Sequence, residues 1–138
     1  MTLGEVKTAE LIGPALDWAV AKVGGFEIFK DATLAGEVKP GFWISGLYTD
    51  PNLWKHLNTY TPSADWKEGG PLIEKHRISV IENLPAMPDS IWEARGSIGA
   101  IGAGWRFAHG PTPLIAAMRC LVASKLGDTV QVPEELLP

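Results

Sequence analysis

Residues 110–126, GPTPLIAAMRCLVASKL, decide how this chain is read. Thr112 is a capping residue, and Pro113 suits the first helical position, where a missing N–H costs nothing. Leu114, Ile115, Met118, Leu121, Val122 and Leu126 then recur at helical spacing. Strongly polar residues interrupt the segment only at Arg119, Ser124 and Lys125. A helix that is apolar nearly all round is a buried one. Gly127 supplies the stop. The pattern predicts a buried C-terminal helix over 113–126, and the rest of the chain must supply the layers that cover it.

Working outward, Trp105 to Ala108 (WRFA), Ile91 to Arg95 and Arg77 to Glu82 (RISVIE) read as strands. Phe26 to Phe29 and Gly41 to Tyr48 (GFWISGLY) are rich in aromatic and β-branched residues and read the same way. Leu16, Ala19, Val20 and Val23 paint one face of a helix over about 13–23, preceded by a short turn at 8–12. Gly13 is the expected cap, Pro14 is tolerated in the first turn, and Gly24-Gly25 end the helix as a left-handed cap would. Asp50-Pro51 marks a helix start and predicts a short helix through about Leu57. Residues 58–72, NTYTPSADWKEGGPL, are polar and broken by Pro62, Gly69, Gly70 and Pro71. They predict a long ordered surface loop, a kind of segment that often carries function. Thr129 to Val132 reads as a short strand. There is no βαβ alternation. The expectation is one α+β domain over residues 1–138, a small, mainly antiparallel sheet packed with an N-terminal and a buried C-terminal helix.

Composition narrows the function classes. The net charge is −4, and the densest basic group is Lys75, His76 and Arg77, too small a track for phosphate-backbone neutralisation, so no nucleic-acid partner is expected. Cys120 is the only cysteine, so no intramolecular disulfide forms, which fits a reducing, cytoplasmic compartment. Met1 to Lys7 carries Glu5 and lacks the apolar core of a secretory signal. The longest uncharged run, Phe107 to Met118, is twelve residues, short of a membrane span.

Candidate chemistry is sparse. The glycines at 96, 99, 102 and 104 lead into WRFA rather than a helix and read as a hairpin loop, not a dinucleotide fingerprint. His56, His76 and His109 lack metal-ligand spacing, and no metal or cofactor is expected. Cys120 reads as core packing. Asp17 sits among apolar helix positions, and Asp65 and Glu68 lie in the expected loop, where a carboxylate pair for a small hydrolase is conceivable. The strongest constellation is distributed: Asp65 and Trp66 beside Gly70-Pro71, then Trp105-Arg106, then the helix start at Thr112, with Arg119 inside the helix. A Trp face suits a flat ring, a helix start suits an anion, and Arg pairs with phosphate or carboxylate. Brought together, these residues would bind a small anionic or nucleotide-like ligand without catalysis. Six tryptophans also leave open a protein-interaction module, with a homodimer or a host protein as partner.

Three segments resemble a known family. WRFAHGPTPLIAAMRCLVASKLGDTVQVPEEL (105–136), ELIGPALDWAVAKVGG (10–25) and YTPSADWKEGGPLIEKHRISV (60–80) resemble the NinX-like proteins of tailed phages and prophages. The resemblance implies a small accessory protein encoded by a phage or prophage. It brings no catalytic residue set and no cofactor, and its motifs coincide with the pocket candidates named above.

Overall fold

A computed structural model describes residues 2–34, 36–45, 55–82, 91–97 and 104–138. Within them the chain is α+β, with its strands paired antiparallel. The C-terminal helix, α3 (Pro113–Leu126), is the centre. Thr112 caps it, its hydroxyl accepting from the Ile115 N–H at 3.1 Å, and every residue from Ala116 to Ala123 is buried. One face of α3 lies on a sheet of β5 (Ser79–Glu82), β6 (Trp92–Ser97) and β7 (Trp105–Gly110), with β6 in the middle. The helix sits close because Gly110 lacks a side chain: a Cβ there would lie 2.8 Å from the Ala116 nitrogen.

Helix α1 (Gly13–Val23) packs on α3 and buries Leu16, Ala19 and Val20 in the shared core. The expected span is correct, although Ile12 rather than Gly13 holds the cap position. Gly25 alone of the glycine pair is left-handed, at φ +79°. A hairpin of β2 (Glu27–Leu34) and β3 (Glu37–Ser45) follows, with the two-residue β4 (Lys55–His56) paired to β3. The hairpin extends well past the FEIF segment, through a register shift between Lys30 and Ala32. Asp31 occupies that shift at φ +54°, and its carboxylate accepts from the Gly41 N–H at 3.0 Å.

Two expectations are corrected. The helix expected from Asp50 to Leu57 does not reach its far end. Lys55 and His56 pair with Ile44 and Trp43, and Leu57–Thr59 form one 3-10 turn; residues 50–54 lie outside the described set. Sheet pairing with β3 takes Lys55 and His56 out of the expected helix. The second half of the long loop expected over 58–72 folds instead into a helix, α2 (Trp66–Lys75). Asp65 caps it, accepting from the Lys67 N–H at 2.9 Å, and Leu72 and Ile73 pack on the core. Pro71 lies inside it, where the lost hydrogen bond is outweighed by that packing.

An element without an expectation is β1 (Leu3–Lys7), which pairs with β8 (Thr129–Pro133) from Leu3↔Pro133 to Lys7↔Thr129. This ribbon brings both ends of the chain beside α3. The glycine-rich residues 98–103, the turn region 83–90 and the end of the expected 41–48 strand lie outside the described residues. No helix among the described residues is long and apolar enough to cross a membrane.

Candidate functional site

The residues singled out in the sequence fall into two clefts, not one. The first, of about 510 Å³, runs between β7 and the Lys7–Ala9 segment, with Arg119 and Ala123 of α3 in its wall and Asp128 at one end. The second, of about 440 Å³, lies between the starts of α2 and α3 and is lined by Ser63, Ala64, Trp66, Thr112, Leu114 and Ile115. Arg106 and Arg119 belong to the first, and Trp66 and Thr112 to the second. Trp105 lines neither; it is 61% exposed and pairs across the ladder with Ser97. Asp65, Gly70 and Pro71 line neither, being used to start and build α2. The aromatic-plus-cationic pocket expected from the sequence is therefore divided. Folding 66–75 as a helix carries Trp66 to the start of α3, whereas Arg106 lies beside the later turns of that helix.

The cationic cleft is the one with organised charge. Strand β7 alternates, with Ala108 and Gly110 buried and Trp105, Phe107 and His109 exposed, so Arg106 shares the helix-facing side. Its Nη1 pairs with Asp128. Its Nε is buried and has no hydrogen-bond partner. A buried guanidinium N–H without an acceptor is uncommon, because leaving it so costs about 1–3 kcal/mol. Arg119 is built differently. It is buried in α3, and its Nε donates to the Leu11 carbonyl at 2.7 Å while Nη1 donates to the His109 carbonyl at 2.9 Å. It ties α3 to the entry of α1 and to β7, and it holds a fixed positive charge in the wall. Thr8 ties the Lys7–Ala9 wall to the turn after α3, its N–H donating to the Asp128 carbonyl at 2.8 Å and its hydroxyl to the Gly127 carbonyl at 2.7 Å.

Lys7, His109 and Asp128 were absent from the sequence-derived set. The signal for Lys7 and Asp128 lay in the β1 and β8 segments, whose pairing is a contact between distant parts of the chain. In the sequence His109 carries no signal beyond that of a candidate metal ligand. No group of three or more His, Cys, Asp or Glu side chains among the described residues could hold a metal ion.

The remaining polar candidates serve the fold. Cys120 is fully buried, its Sγ 3.4 Å from the Arg106 carbonyl, and burial pushes its thiol up, away from the thiolate a nucleophile needs. Asp65 is the α2 cap, and Glu68 accepts from the Thr61 N–H at 3.0 Å and from Lys55 at 2.8 Å.

Asp17 is buried in α1, where it accepts from the Ser63 N–H at 2.9 Å and so fixes the turn that precedes Trp66. Burial, only partly offset by the Ser63 hydrogen bonds, raises its carboxyl from 3.8 to about 6. An acid raised on folding contributes stability below its unfolded value, and that contribution is lost as pH rises through the folded one. Asp17→Asn keeps an acceptor for Ser63 but cannot ionise. Between pH 4 and 7.5 the wild-type protein should lose about 2–3 kcal/mol more stability than this variant. Urea titrations across that range test it; parallel pH profiles would show that Asp17 is not the source.

Comparison with known proteins agrees with the three-segment resemblance. A family model described as "Bacteriophage P22, NinX" matches residues 7–125, from the end of β1 into the last turn of α3. No curated protein matches the chain.

Proposed function

The chain belongs to the bacteriophage P22 NinX family, and on that premise we propose that it is a non-enzymatic binding protein of the host cytoplasm that holds a small anionic ligand in the Arg106 cleft. The observation that carries this reading is the buried Arg106 Nε with no acceptor, in a cleft that also holds Lys7 and Arg119, with Asp128 its one acidic lining residue. A phosphate or carboxylate oxygen is the group that completes such a site, because a charge-assisted hydrogen bond to guanidinium is among the stronger ones available. Trp66 stands in the other cleft, so recognition centres on the anion, and a nucleotide is held by its phosphate rather than by its ring.

Calorimetric titration with inorganic phosphate, a dicarboxylate and adenosine monophosphate tests the reading. The anions should bind to the wild-type protein. Arg106→Gln should weaken them at least tenfold, as expected for the loss of about 1.5–3 kcal/mol from a hydrogen bond to a charged group. Trp66→Ala should leave affinity unchanged. Absence of heat from every anion, or equal binding by Arg106→Gln, would overturn the assignment.

A further inference from the structure

Strand β7 is the last strand of its sheet, with β6 on one side and no strand on the other among the described residues. An open strand edge presents a row of backbone donors and acceptors with which another chain can pair. In an antiparallel ladder one residue turns its N–H and C=O to the neighbouring strand and the next turns both away. His109 sets the phase in β7, because its carbonyl is taken by Arg119 in the cleft wall. The side-chain pairs across β6 and β7 agree. Glu93 meets His109 at 3.1 Å, and the Arg95 guanidinium lies 5.6 Å from the Phe107 ring centre. Side chains come closest at pairs whose backbone groups face outward. By this alternation Phe107 and Trp105 also turn their backbone groups away from β6.

The space beside that edge has the volume of a short piece of extended chain. With a rise of about 3.3 Å per residue, strands about 4.8 Å apart and layers about 10 Å apart, the 510 Å³ cleft accommodates about three residues of extended chain. A strand laid there would send alternate side chains to two environments. Those facing α3 would meet the cations of Arg106 and Lys7, with which an acidic side chain would compete against Asp128, the one acidic residue of the lining and the partner of Arg106, and those facing outward would lie beside Phe107 and Trp105, which are 53% and 61% exposed. This local charge is opposite in sign to that of the chain as a whole, which is −4.

We propose that the open edge of β7 is a docking site for an extended acidic segment of another protein, added as a fourth strand. Its acidic side chains face Arg106 and Lys7, and its apolar side chains alternate with them beside Phe107 and Trp105. The proposal rests on reading the cleft as an anion site, and it names the form in which the anion arrives. A second copy of this chain fits less well, because a two-fold pairing of β7 with itself brings two copies of the same cationic wall together.

A fluorescein-labelled hexapeptide of alternating glutamate and valine tests this by anisotropy on the intact protein. It should bind, and N-methylation of alternate residues, which removes backbone pairing but leaves the charge, should weaken it at least tenfold. A lysine–valine hexapeptide should be at least tenfold weaker than the acidic one. Phe107→Pro should also weaken binding at least tenfold, since it removes an N–H that faces away from β6 and leaves the ladder intact. If that variant fails to fold, the methylated peptide on the unaltered protein still decides. Equal binding of methylated and unmethylated peptides would overturn strand addition and leave the anion site standing. Phosphate binding without peptide binding would do the same, and loss of both would overturn the cleft reading as well. A dimer seen by light scattering and abolished by Phe107→Pro would assign the edge to a second copy and overturn the proposal.

Discussion

Arg119→Leu is expected to lower the unfolding free energy by about 2–4 kcal/mol. The physical reason is the pair of carbonyls left behind. Leu11 O and His109 O both accept from this guanidinium, at 2.7 and 2.9 Å, and Leu11 is buried. A buried acceptor stripped of its donor costs about 1–3 kcal/mol, and leucine offers neither. Relief of the desolvation of the guanidinium offsets part of this, which keeps the expected value near the lower end. The melting temperature should fall by about 10 °C or more. Arg119→Lys should recover only part of the loss, since an ammonium on a flexible stem does not reproduce a fork that spans two acceptors on different elements. Urea denaturation of the three proteins checks this; a midpoint for Arg119→Leu equal to that of the wild type would mean that the guanidinium does not tie these elements together.

Gly69→Ala sets two effects of opposite sign against each other. Alanine is the better helix former by about 1 kcal/mol, and Gly69 lies inside α2, so local propensity alone predicts stabilisation. The tertiary contact predicts the reverse. A Cβ at Gly69 would lie 2.3 Å from the Pro62 carbonyl oxygen and 2.7 Å from Leu114 Cδ2. The first neighbour is backbone and cannot turn aside. Overpacking of this kind costs about 1–3 kcal/mol and at times more, so, after the helix-propensity gain, a net loss of about 1–2 kcal/mol is expected. The adjacent Gly70 is the control. A Cβ there would meet only Trp66 Cε3, at 3.8 Å, and Gly70→Ala should stabilise the protein by about 0.5–1 kcal/mol. Thermal unfolding of both variants decides; a Gly69→Ala protein as stable as Gly70→Ala would show that α2 does not dock tightly against Pro62 and Leu114.

The same contact explains why the sequence of α2 has the local character of a loop. Local rules count glycine, glycine and proline in sequence as breakers, and in an isolated peptide they are. Here Gly69 is what lets the helix approach Pro62 and α3, and the packing of Leu72 and Ile73 on the core stabilises a segment that propensity disfavours. The opposite held for α3, where capping, periodicity and stop signal all agreed and the observed span, Pro113–Leu126, is the expected one. The expected helix through Leu57 failed for a related reason: a start signal is local, whereas the pairing of Lys55 and His56 with β3 is not.

The sequence by itself determined the two helices α1 and α3, the strand character of β5 to β7 and the α+β class, because each is written in spacings of a few residues. It also determined that Arg106 and Arg119 bear charge near a largely apolar helix. The tertiary structure alone decided that Trp66 and Arg106 lie in different clefts, that Lys7 and Asp128 stand beside Arg106, and that among the described residues no strand pairs with the outer edge of β7. Those are distances between residues far apart in the chain. They are set by how α3 is covered, with the β1–β8 ribbon beside one part of it and α2 at its start, and no periodicity records which surfaces such a packing leaves facing each other.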